Sequence, residues 1–205
     1  MTPRHKDTKR TQIMTETRQL LMDAAIQEFA QYGYENANIN RISTSAGFAK
    51  GTIYNYFPSK RALMLALIEE TAQLHLDFIA ERVRREQDAG RRMERFFEAG
   101  FDFVATYLTQ GRVMINSLYG PDPEFRQVMY QAYLPMFELV GRDIIGLGIS
   151  QGTFRPVDPT TTAGLLMNIY LGIASQTDDT GKTWQSADQV ADFVLNGLRK
   201  PATSV

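Results

Sequence analysis

The stretch from Asn38 to Lys60, NINRISTSAGFAKGTIYNYFPSK, constrains the fold more than any other part of the chain. Its first residue is an asparagine, a type that caps helix N-termini, and the apolar positions that follow recur at helical spacing. Gly47 can adopt a positive φ angle and end this first helix. The residues from Ala49 to Tyr56 predict a second helix of about two turns, with Ile53 and Phe57 facing inward.

The second helix would carry an unusual outer face. An ordinary surface helix carries pairs of glutamate and lysine, whereas this face has two phenols, an amide, a hydroxyl and a lysine, and no acid. Such groups suit the phosphate oxygens and base edges of DNA. The alternative is a helical hairpin that packs its aromatics on a neighbouring element, but polar aromatics beside lysine favour DNA binding. The candidate DNA contacts are Asn38, Asn40, Lys50, Gly51, Thr52, Tyr54, Asn55, Tyr56 and Lys60.

The run YGYENANINRISTSAGFAKGTIYNYFPSKRAL resembles the N-terminal helix-turn-helix of the tetracycline-repressor (TetR/AcrR) family of transcription regulators. The resemblance covers roughly residues 15 to 65, and a gapped motif of this length is far more specific than a lone glycine pattern. Ala49 stands where the family usually has a serine, and Ser43 where it usually has an alanine. The resemblance implies that Asn40 and Asn55 read bases. It implies that Tyr54, Tyr56 and Lys60 contact the DNA backbone.

The pattern and the resemblance together imply an all-α fold with an N-terminal three-helix DNA-binding domain and a C-terminal helical domain for ligand binding and dimerisation. Residues 1–14, with Arg4, Lys6, Lys9 and Arg10, are expected to form a flexible basic arm, either contacting phosphates or simply solvated. Residues 15–60 form the helix-turn-helix domain, and residues 61–205 form the helical domain. The first helix should run from an N-cap at Thr15 to Tyr32 and stop at Gly33.

The composition limits the other classes of function. The chain has no cysteine, which excludes disulfides and thiolate metal sites. His75 has no second metal ligand nearby in the sequence and is interpreted as a boundary histidine. No apolar run has membrane length and the N-terminus has no signal-peptide core, so a cytoplasmic protein without a membrane partner is expected. Residues 1–60 carry a net charge of +3 and the remainder −4, as a DNA-binding head on a regulatory body would.

Methionine and aromatic residues are concentrated between residues 93 and 149. Such side chains make adaptable apolar walls with a few polar groups. The family encloses its effector in the corresponding helices, so the resemblance implies a pocket here for an apolar or aromatic small molecule, although each residue alone is compatible with an ordinary core. Pro135 is expected to bend its helix. The candidate pocket residues are Phe97, Phe101, Tyr107, Met114, Leu118, Met129, Tyr133 and Phe137.

The predicted helix that starts at Pro159 is apolar almost all round and therefore must be buried on both sides. The last predicted helix repeats apolar residues at helical spacing, from Val190 through Phe193 and Val194 to Leu198. Two such helices from each of two chains would form a four-helix interface, and the family dimerises through its final helix pair. The predicted dimer interface consists of Leu166, Ile169, Tyr170, Ile173, Val190, Phe193, Val194 and Leu198.

These observations predict a ligand-responsive transcriptional repressor that binds a palindromic double-stranded DNA operator as a homodimer and is released by a small-molecule effector. No cofactor is expected. An enzyme is disfavoured because no catalytic or nucleotide-binding motif occurs, and Glu98 with Asp102 is better explained as two acids on a helix face. The alternative function is a helical small-molecule carrier that does not bind DNA, which would lack a salt-dependent DNA affinity.

Overall fold

A computed structural model describes residues 5–199 of the 205-residue chain. Within that range the fold is all-α, as predicted, and the β-type pairing is confined to an isolated bridge between Phe154 and Arg199. A 3-10 helix, Thr52–Asn55, follows the second α-helix, and a π-helical segment, Leu139–Gly146, joins the sixth to the seventh. The α-helices are α1 His5–Asn36, α2 Ile39–Ser45, α3 Lys60–Val83, α4 Ala89–Thr106, α5 Leu108–Tyr119, α6 Pro123–Glu138, α7 Leu147–Ser150, α8 Pro159–Ala174 and α9 Ala187–Leu198.

Helix α1 begins earlier than predicted. The backbone is already helical at His5, so Thr15 lies inside the helix, where its hydroxyl donates to the Thr11 carbonyl 3.0 Å away. The predicted cap at Thr15 is therefore wrong. The polar segment extends the helix because it contains no glycine or proline after residue 4 and gains side-chain pairs such as Gln12 to Glu16, at 2.9 Å.

The other predictions for the N-terminal segment concern residues that lie partly outside the described range. Residues 1–4 and 200–205, with Arg4 of the expected basic arm, lie outside them, as does the Lys6 side chain. The arm is thus helical from His5, and its role in DNA contact stays a prediction. Gly33 adopts φ 71° and interrupts the helix, which confirms the predicted stop before a final turn ends at Asn36.

Capping side chains set where most helices begin. Ser59 accepts a hydrogen bond from the Ala62 N–H at 3.0 Å and caps the start of α3. Asp88, Asp122 and Asp158 cap α4, α6 and α8 in the same way. Helix α8 starts at Pro159 as predicted, because the missing N–H of a proline is not needed in the first turn.

The described residues form two hydrophobic cores that share α3. The first, here called the head, packs α1, α2 and the 3-10 helix onto Leu63 and Leu67 of α3, and it also contacts α5 and α6. The second, here called the body, packs α4, α8, α9 and the π-helical segment around Ile79 and Val83. Helix α3 therefore passes from one core into the other, and residues beyond 60 belong to the head core.

The predicted bend at Pro135 is followed by a change of helix type. Pro135 lies inside α6, where it cannot donate a backbone hydrogen bond. The π-helical segment starts four residues later, at Leu139, and continues to Gly146. Segments of this type widen the helix and often lie beside functional sites. Its buried side is part of the body core.

Candidate functional site

The turn between α2 and the 3-10 helix has the geometry of a helix-turn-helix. The Asn38 side chain accepts from the N–H groups of Asn40, at 2.9 Å, and Arg41, at 3.3 Å, which confirms the predicted N-cap. Gly47 has φ 84° and ends α2 as predicted. The next segment differs from the prediction: Gly51 also has a positive φ, 85°, so no helix continues through it from Ala49. The recognition segment is therefore one 3-10 turn, not a two-turn α-helix.

A buried serine fixes this short recognition segment against α2. Ser43 is fully buried, and its hydroxyl accepts from the backbone N–H of Ile53 at 3.3 Å. Ile53 and Phe57 are buried beneath the segment, as predicted. The sequence drew attention to Ser43 only for its size, although a hydroxyl at a core-facing position is itself a signal of a specific hydrogen bond. The hydrogen bond compensates for the small number of helical bonds in a single 3-10 turn.

The predicted DNA contacts lie on the exposed side of this motif. Tyr54 is 49% exposed although it is a large aromatic residue, and Asn40, Lys50 and Asn55 are also exposed. Gly51, Thr52 and Tyr56 are half-buried beside them. Their contact with DNA remains a prediction; of these residues, Tyr56 also packs against the head core.

Lys60 has a structural partner that the sequence did not reveal. Its ammonium group donates to the carbonyl oxygens of Glu35, at 2.9 Å, and Ala37, at 3.3 Å, and lies 4.8 Å from the centre of the Tyr34 ring. The lysine thus joins the start of α3 to the end of α1. A phosphate contact would use its remaining N–H.

An ion pair holds α1 and α2 together. The carboxylate of Glu28, almost fully buried on α1, accepts from Arg41 Nε at 2.7 and 2.9 Å and from the Asn38 N–H at 2.8 Å. The hydrogen bond from Arg41 lowers the pKa of Glu28 although burial opposes it. Arg41 also lies 4.0 Å from the centre of the Tyr32 ring. The sequence placed Glu28 on the core-facing stripe of α1, and an acid at such a position needs a partner.

A second ion pair joins α3 to the start of α6. Arg61 donates to Asp122 Oδ2 at 3.0 Å and to Glu124 Oε2 at 2.6 Å, and its guanidinium lies 5.0 Å from the centre of the Phe125 ring. The hydrogen bonds that Arg61 donates to both carboxylates raise its pKa. Because Asp122 also caps α6, the ion pair connects the head directly to the helices around the body. The separation of about sixty residues left no local signal in the sequence.

A cavity of about 300 Å³ lies between α3, α4, α5, α6 and α8. Five of the predicted pocket residues line it: Met114, Leu118, Met129, Tyr133 and Phe137. The wall also contains Ala30, His75, Phe103, Val104, Leu108, Gly111, Arg112, Ile115, Asn116, Tyr130, Met167, Tyr170, Leu171, Ala174, Ser175 and Thr177. The cavity is mostly apolar and lies at a size typical of small ligand sites.

Three predicted pocket residues are not among the residues of the cavity wall. Phe97 and Phe101 are buried in the body core, where Phe101 stacks on Tyr170 at 6.1 Å between ring centres. Tyr107 packs on Phe103, with ring centres 4.8 Å apart. Helix α4 carries aromatics on several sides, and its periodicity does not tell which side faces the cavity.

His75 is a central residue of the cavity wall, so its interpretation as a boundary histidine is wrong. Its Nδ1 lies 3.1 Å from the Tyr133 hydroxyl and its Nε2 lies 3.0 Å from the Tyr170 hydroxyl. The ring also stacks on Phe103, with 4.0 Å between centres. Burial lowers the pKa of His75 to about 3, so the imidazole is neutral at physiological pH.

Tyr170 lies in the core of its own chain and not at a dimer interface, which corrects the prediction. Its hydroxyl donates to the Gly100 carbonyl at 3.1 Å, and its ring occupies the space left by the missing Cβ of Gly100, where an added Cβ would lie 2.6 Å from it. Burial raises the pKa of this phenol. Leu166, Val190, Val194 and Leu198 of the predicted interface are likewise buried within the chain.

The outward faces of α8 and α9 nevertheless carry apolar side chains. Phe193, from the predicted set, is 73% exposed, and Ile169 and Ile173 are half-buried. Leu165 is also exposed, and Trp184 in the preceding loop is 84% exposed, although neither was predicted. Because α8 is apolar nearly all round, its periodicity could not distinguish the inner side from the outer.

The described residues also bear on other classes of site. No group of three or more histidine, aspartate or glutamate side chains among them could hold a metal ion. Glu98 is paired with Arg95, and Asp102 is exposed. No helix in the described part of the chain combines the length and the apolar character that crossing a membrane requires.

The head matches a known family by sequence. The model of the bacterial regulatory proteins of the tetR family matches residues 21–67, which contain the whole helix-turn-helix. The chain is also 25% identical to the HTH-type transcriptional repressor AcnR of Corynebacterium efficiens, across 185 residues that cover 90% of this chain and 94% of that protein.

Solved structures share the fold of the whole chain. One is the transcriptional regulator FadR from Bacillus subtilis in complex with stearoyl-CoA, with a TM-score of 0.77, 20% identity, and coverage of 87% of this chain and 98% of that one. Another is AibR in complex with isovaleryl coenzyme A and operator DNA, with a TM-score of 0.71, 18% identity, and coverage of 91% and 100%. The helix-turn-helix geometry and the family match lead to one conclusion: residues 21–67 carry the helix-turn-helix domain of the tetR family of bacterial regulatory proteins.

Proposed function

We propose that this regulator is a homodimeric repressor whose affinity for operator DNA falls when a small molecule occupies the cavity. The observation that carries the proposal is the connection between the two sites. Helix α3 starts beside the recognition segment and carries His75 in the cavity wall. A ligand that favours one position of α3 would therefore alter the position of the head, by no more than its difference in affinity for the two positions.

The DNA contacts are proposed from exposure and chemistry. Lys50, Tyr54 and Asn55 are exposed on the recognition segment and supply a charge, a phenol and an amide. In a helix-turn-helix dimer such a segment enters the major groove, and the two half-sites lie about 34–36 Å apart. Asn38 and Asn40 at the start of α2 flank the groove, and Thr52 and Tyr56 support the contact with the backbone.

The second copy of the chain is proposed to pack on the outward faces of α8 and α9. Leu165, Ile169 and Ile173 line one side of this surface and Phe193 the other. An apolar face of this kind is costly in a monomer and typical of a four-helix interface. A regulator that binds an operator acts in the cytoplasm, where the bacterial chromosome lies.

The effector is proposed to be an apolar molecule with an anionic end. Arg112 belongs to the cavity wall, and its ion pair with the fully exposed Asp179 is too solvated to be strong, so an anionic group can replace that partner. A cavity of about 300 Å³ holds on the order of ten carbon atoms if each takes up roughly the volume of a liquid water molecule. Acyl-coenzyme A thioesters, which two of the similar solved structures contain, have this chemistry.

The decisive experiment selects bound sequences from random duplexes across a salt series. We expect a palindrome, and an affinity that falls steeply with salt. Lys50→Ala should reduce the salt slope by about one, whereas Lys182→Ala, an exposed lysine of the body, should leave it unchanged. Acyl-coenzyme A thioesters of increasing chain length, added to the selected operator, then test release. A flat salt slope with no enriched sequence would support the small-molecule carrier.

A further inference from the structure

The cavity wall contains a chain of hydrogen bonds whose direction can be determined. It runs from Tyr133 through both nitrogens of His75 to Tyr170 and ends at the Gly100 carbonyl. His75 and Tyr170 are buried, and all three side chains line the cavity. Of the other polar residues of the wall, Thr177 is half-buried and the rest are exposed: Arg112, Asn116, Tyr130 and Ser175. The chain of hydrogen bonds is therefore the polar element at the buried end of the cavity.

The Gly100 end fixes the direction. A carbonyl oxygen can only accept, so the single proton of the Tyr170 hydroxyl is directed to Gly100, 3.1 Å away. His75 Nε2 must then carry a proton and donate to the Tyr170 oxygen. A neutral imidazole has one N–H, so Nδ1 is an acceptor, and the Tyr133 hydroxyl donates its only proton to it.

This arrangement leaves the Tyr133 oxygen with a free lone pair and no proton to offer. We infer that the cavity recognises a hydrogen-bond donor, such as a hydroxyl or an amide N–H at the buried end of an otherwise apolar effector, through the oxygen of Tyr133. His75 and Tyr170 are positioning residues that hold the Tyr133 proton away from the ligand. The inference rests on the proposed role of the cavity as the effector site.

A ligand that only accepts would have to reverse the whole chain. Tyr133 would turn its proton to the ligand, His75 would change tautomer, and Tyr170 would donate to Nε2. The oxygens of Tyr170 and Gly100 would then face each other at 3.1 Å without a proton between them. Because a buried pair of acceptors is unfavourable, donors should bind about five- to tenfold more tightly than acceptors of the same shape.

The first test is the nitrogen NMR spectrum of the full-length protein, which has only two histidines. We expect His75 to be protonated at Nε2 and unprotonated at Nδ1, and to remain so from pH 7 to about pH 4.5, because its pKa is about 3. Tyr170→Phe removes the acceptor of the Nε2–H and should shift the tautomer. A charged ring, or a proton on Nδ1 in the unaltered protein, would overturn the inference.

The second test uses three bicyclic probes of one shape: indole donates, benzofuran only accepts, and indene does neither. Calorimetry should show indole binding about five- to tenfold more tightly than the other two. Tyr133→Phe should abolish the difference, and Tyr130→Phe, a tyrosine of the same helix and the same wall, should keep it. Equal affinities, or the absence of binding by all three, would refute donor recognition.

The readouts separate the inference from the proposed function. If indole is selected through Tyr133 but no cavity ligand changes DNA affinity, the effector role of the cavity is wrong and the donor preference stands. If acyl-coenzyme A thioesters release DNA while the tautomer or the probe order is reversed, the repressor is established and the donor preference is wrong.

Discussion

The head and the body bury polar groups in two different ways. In the head, the buried polar group is paired with an opposite charge: the Glu28 carboxylate only accepts hydrogen bonds, and the Arg41 guanidinium only donates them. The body uses neutral groups around His75, and a neutral imidazole can carry its proton on either nitrogen. A charged pair fixes one geometry, which suits a surface that must match DNA. The neutral chain takes its direction from the Gly100 carbonyl at its end, which leaves the Tyr133 oxygen as an acceptor facing the cavity.

The largest expected effects come from truncating one fully buried isoleucine in each core. Ile53 in the head and Ile79 in the body are both fully buried, so replacing either with alanine should cost about 3 kcal/mol of unfolding free energy. Ile53→Ala should also abolish operator binding and leave probe binding in the cavity intact, and Ile79→Ala should do the reverse. Thermal unfolding, DNA binding and calorimetry measure the three quantities. Loss of both activities in both variants would mean that the two cores unfold as one unit.

Acid should act on the body before the head. The folded pKa of His75, about 3, lies below its unfolded value of 6.5, so the unfolded chain binds the extra proton and stability falls as pH decreases below 6.5. The loss should reach about 2 kcal/mol at pH 5, which is 1.4 kcal/mol per pH unit. His75→Phe should reduce this dependence of the unfolding free energy on pH, measured by denaturant unfolding between pH 7 and pH 5.

The head should respond in a lower pH range. The pKa of Glu28 is lowered in the folded state, so its contribution is complete above its unfolded pKa, 4.5, and is lost as pH falls through the lower folded value. Glu28→Gln should therefore reduce stability at pH 7 and converge with the unaltered protein in strong acid. If the unfolding free energy of the His75→Phe variant fell between pH 7 and pH 5 as steeply as that of the unaltered protein, His75 would not be the group that makes the body sensitive to acid.

Glycine substitutions test how tightly the body is packed. Gly100→Ala would place a Cβ 2.6 Å from the Tyr170 ring and should cost about 2 kcal/mol, measured by denaturant unfolding. Gly164→Ala, in α8, meets nothing within 4 Å and should stabilise the protein by about 0.5 kcal/mol, because alanine favours the helix. Equal effects at the two positions would show that the ring of Tyr170 moves freely.

The smallest expected loss of stability concerns the recognition segment. Ser43→Ala leaves the buried N–H of Ile53 without an acceptor, so the free energy of unfolding should fall by about 1 kcal/mol. The affinity for the operator should also fall. Ser45→Ala, an exposed position of the same helix, is the control. Unchanged DNA binding by Ser43→Ala would show that the aromatic packing alone orders the segment.

The accuracy of the sequence analysis follows the distance over which each feature is determined. The cap at Asn38, the turn at Gly47 and the inward side chains Ile53 and Phe57 all depend on neighbours within a few residues, and the structure confirms each of them. The predicted length of the recognition segment was wrong because Gly51 was placed inside the helix, whereas its positive φ angle breaks it.

The body shows why the remaining features could not be predicted. Tyr170 contacts Gly100, seventy positions away, and no pattern within α8 marks that contact. The same holds for Arg61 and Asp122. A helix with apolar residues on several sides does not show which side faces inward. Five of the eight predicted dimer residues, and Phe97 and Phe101 of the predicted pocket residues, therefore face the core instead.

Helix α3 also determines how small a change can matter. Its 24 residues make a rod about 36 Å long, and His75 lies about 22 Å along the axis from Lys60. If the rod pivots at the cavity, a tilt of about 5° moves its far end by about 2 Å, and two mirrored tilts alter the separation of the paired heads by about 4 Å, more than the 3.4 Å rise of one DNA step. A tilt of α3 that is hardly visible in a superposition is therefore enough to change the separation of the two heads, so that they no longer match the two half-sites of the operator.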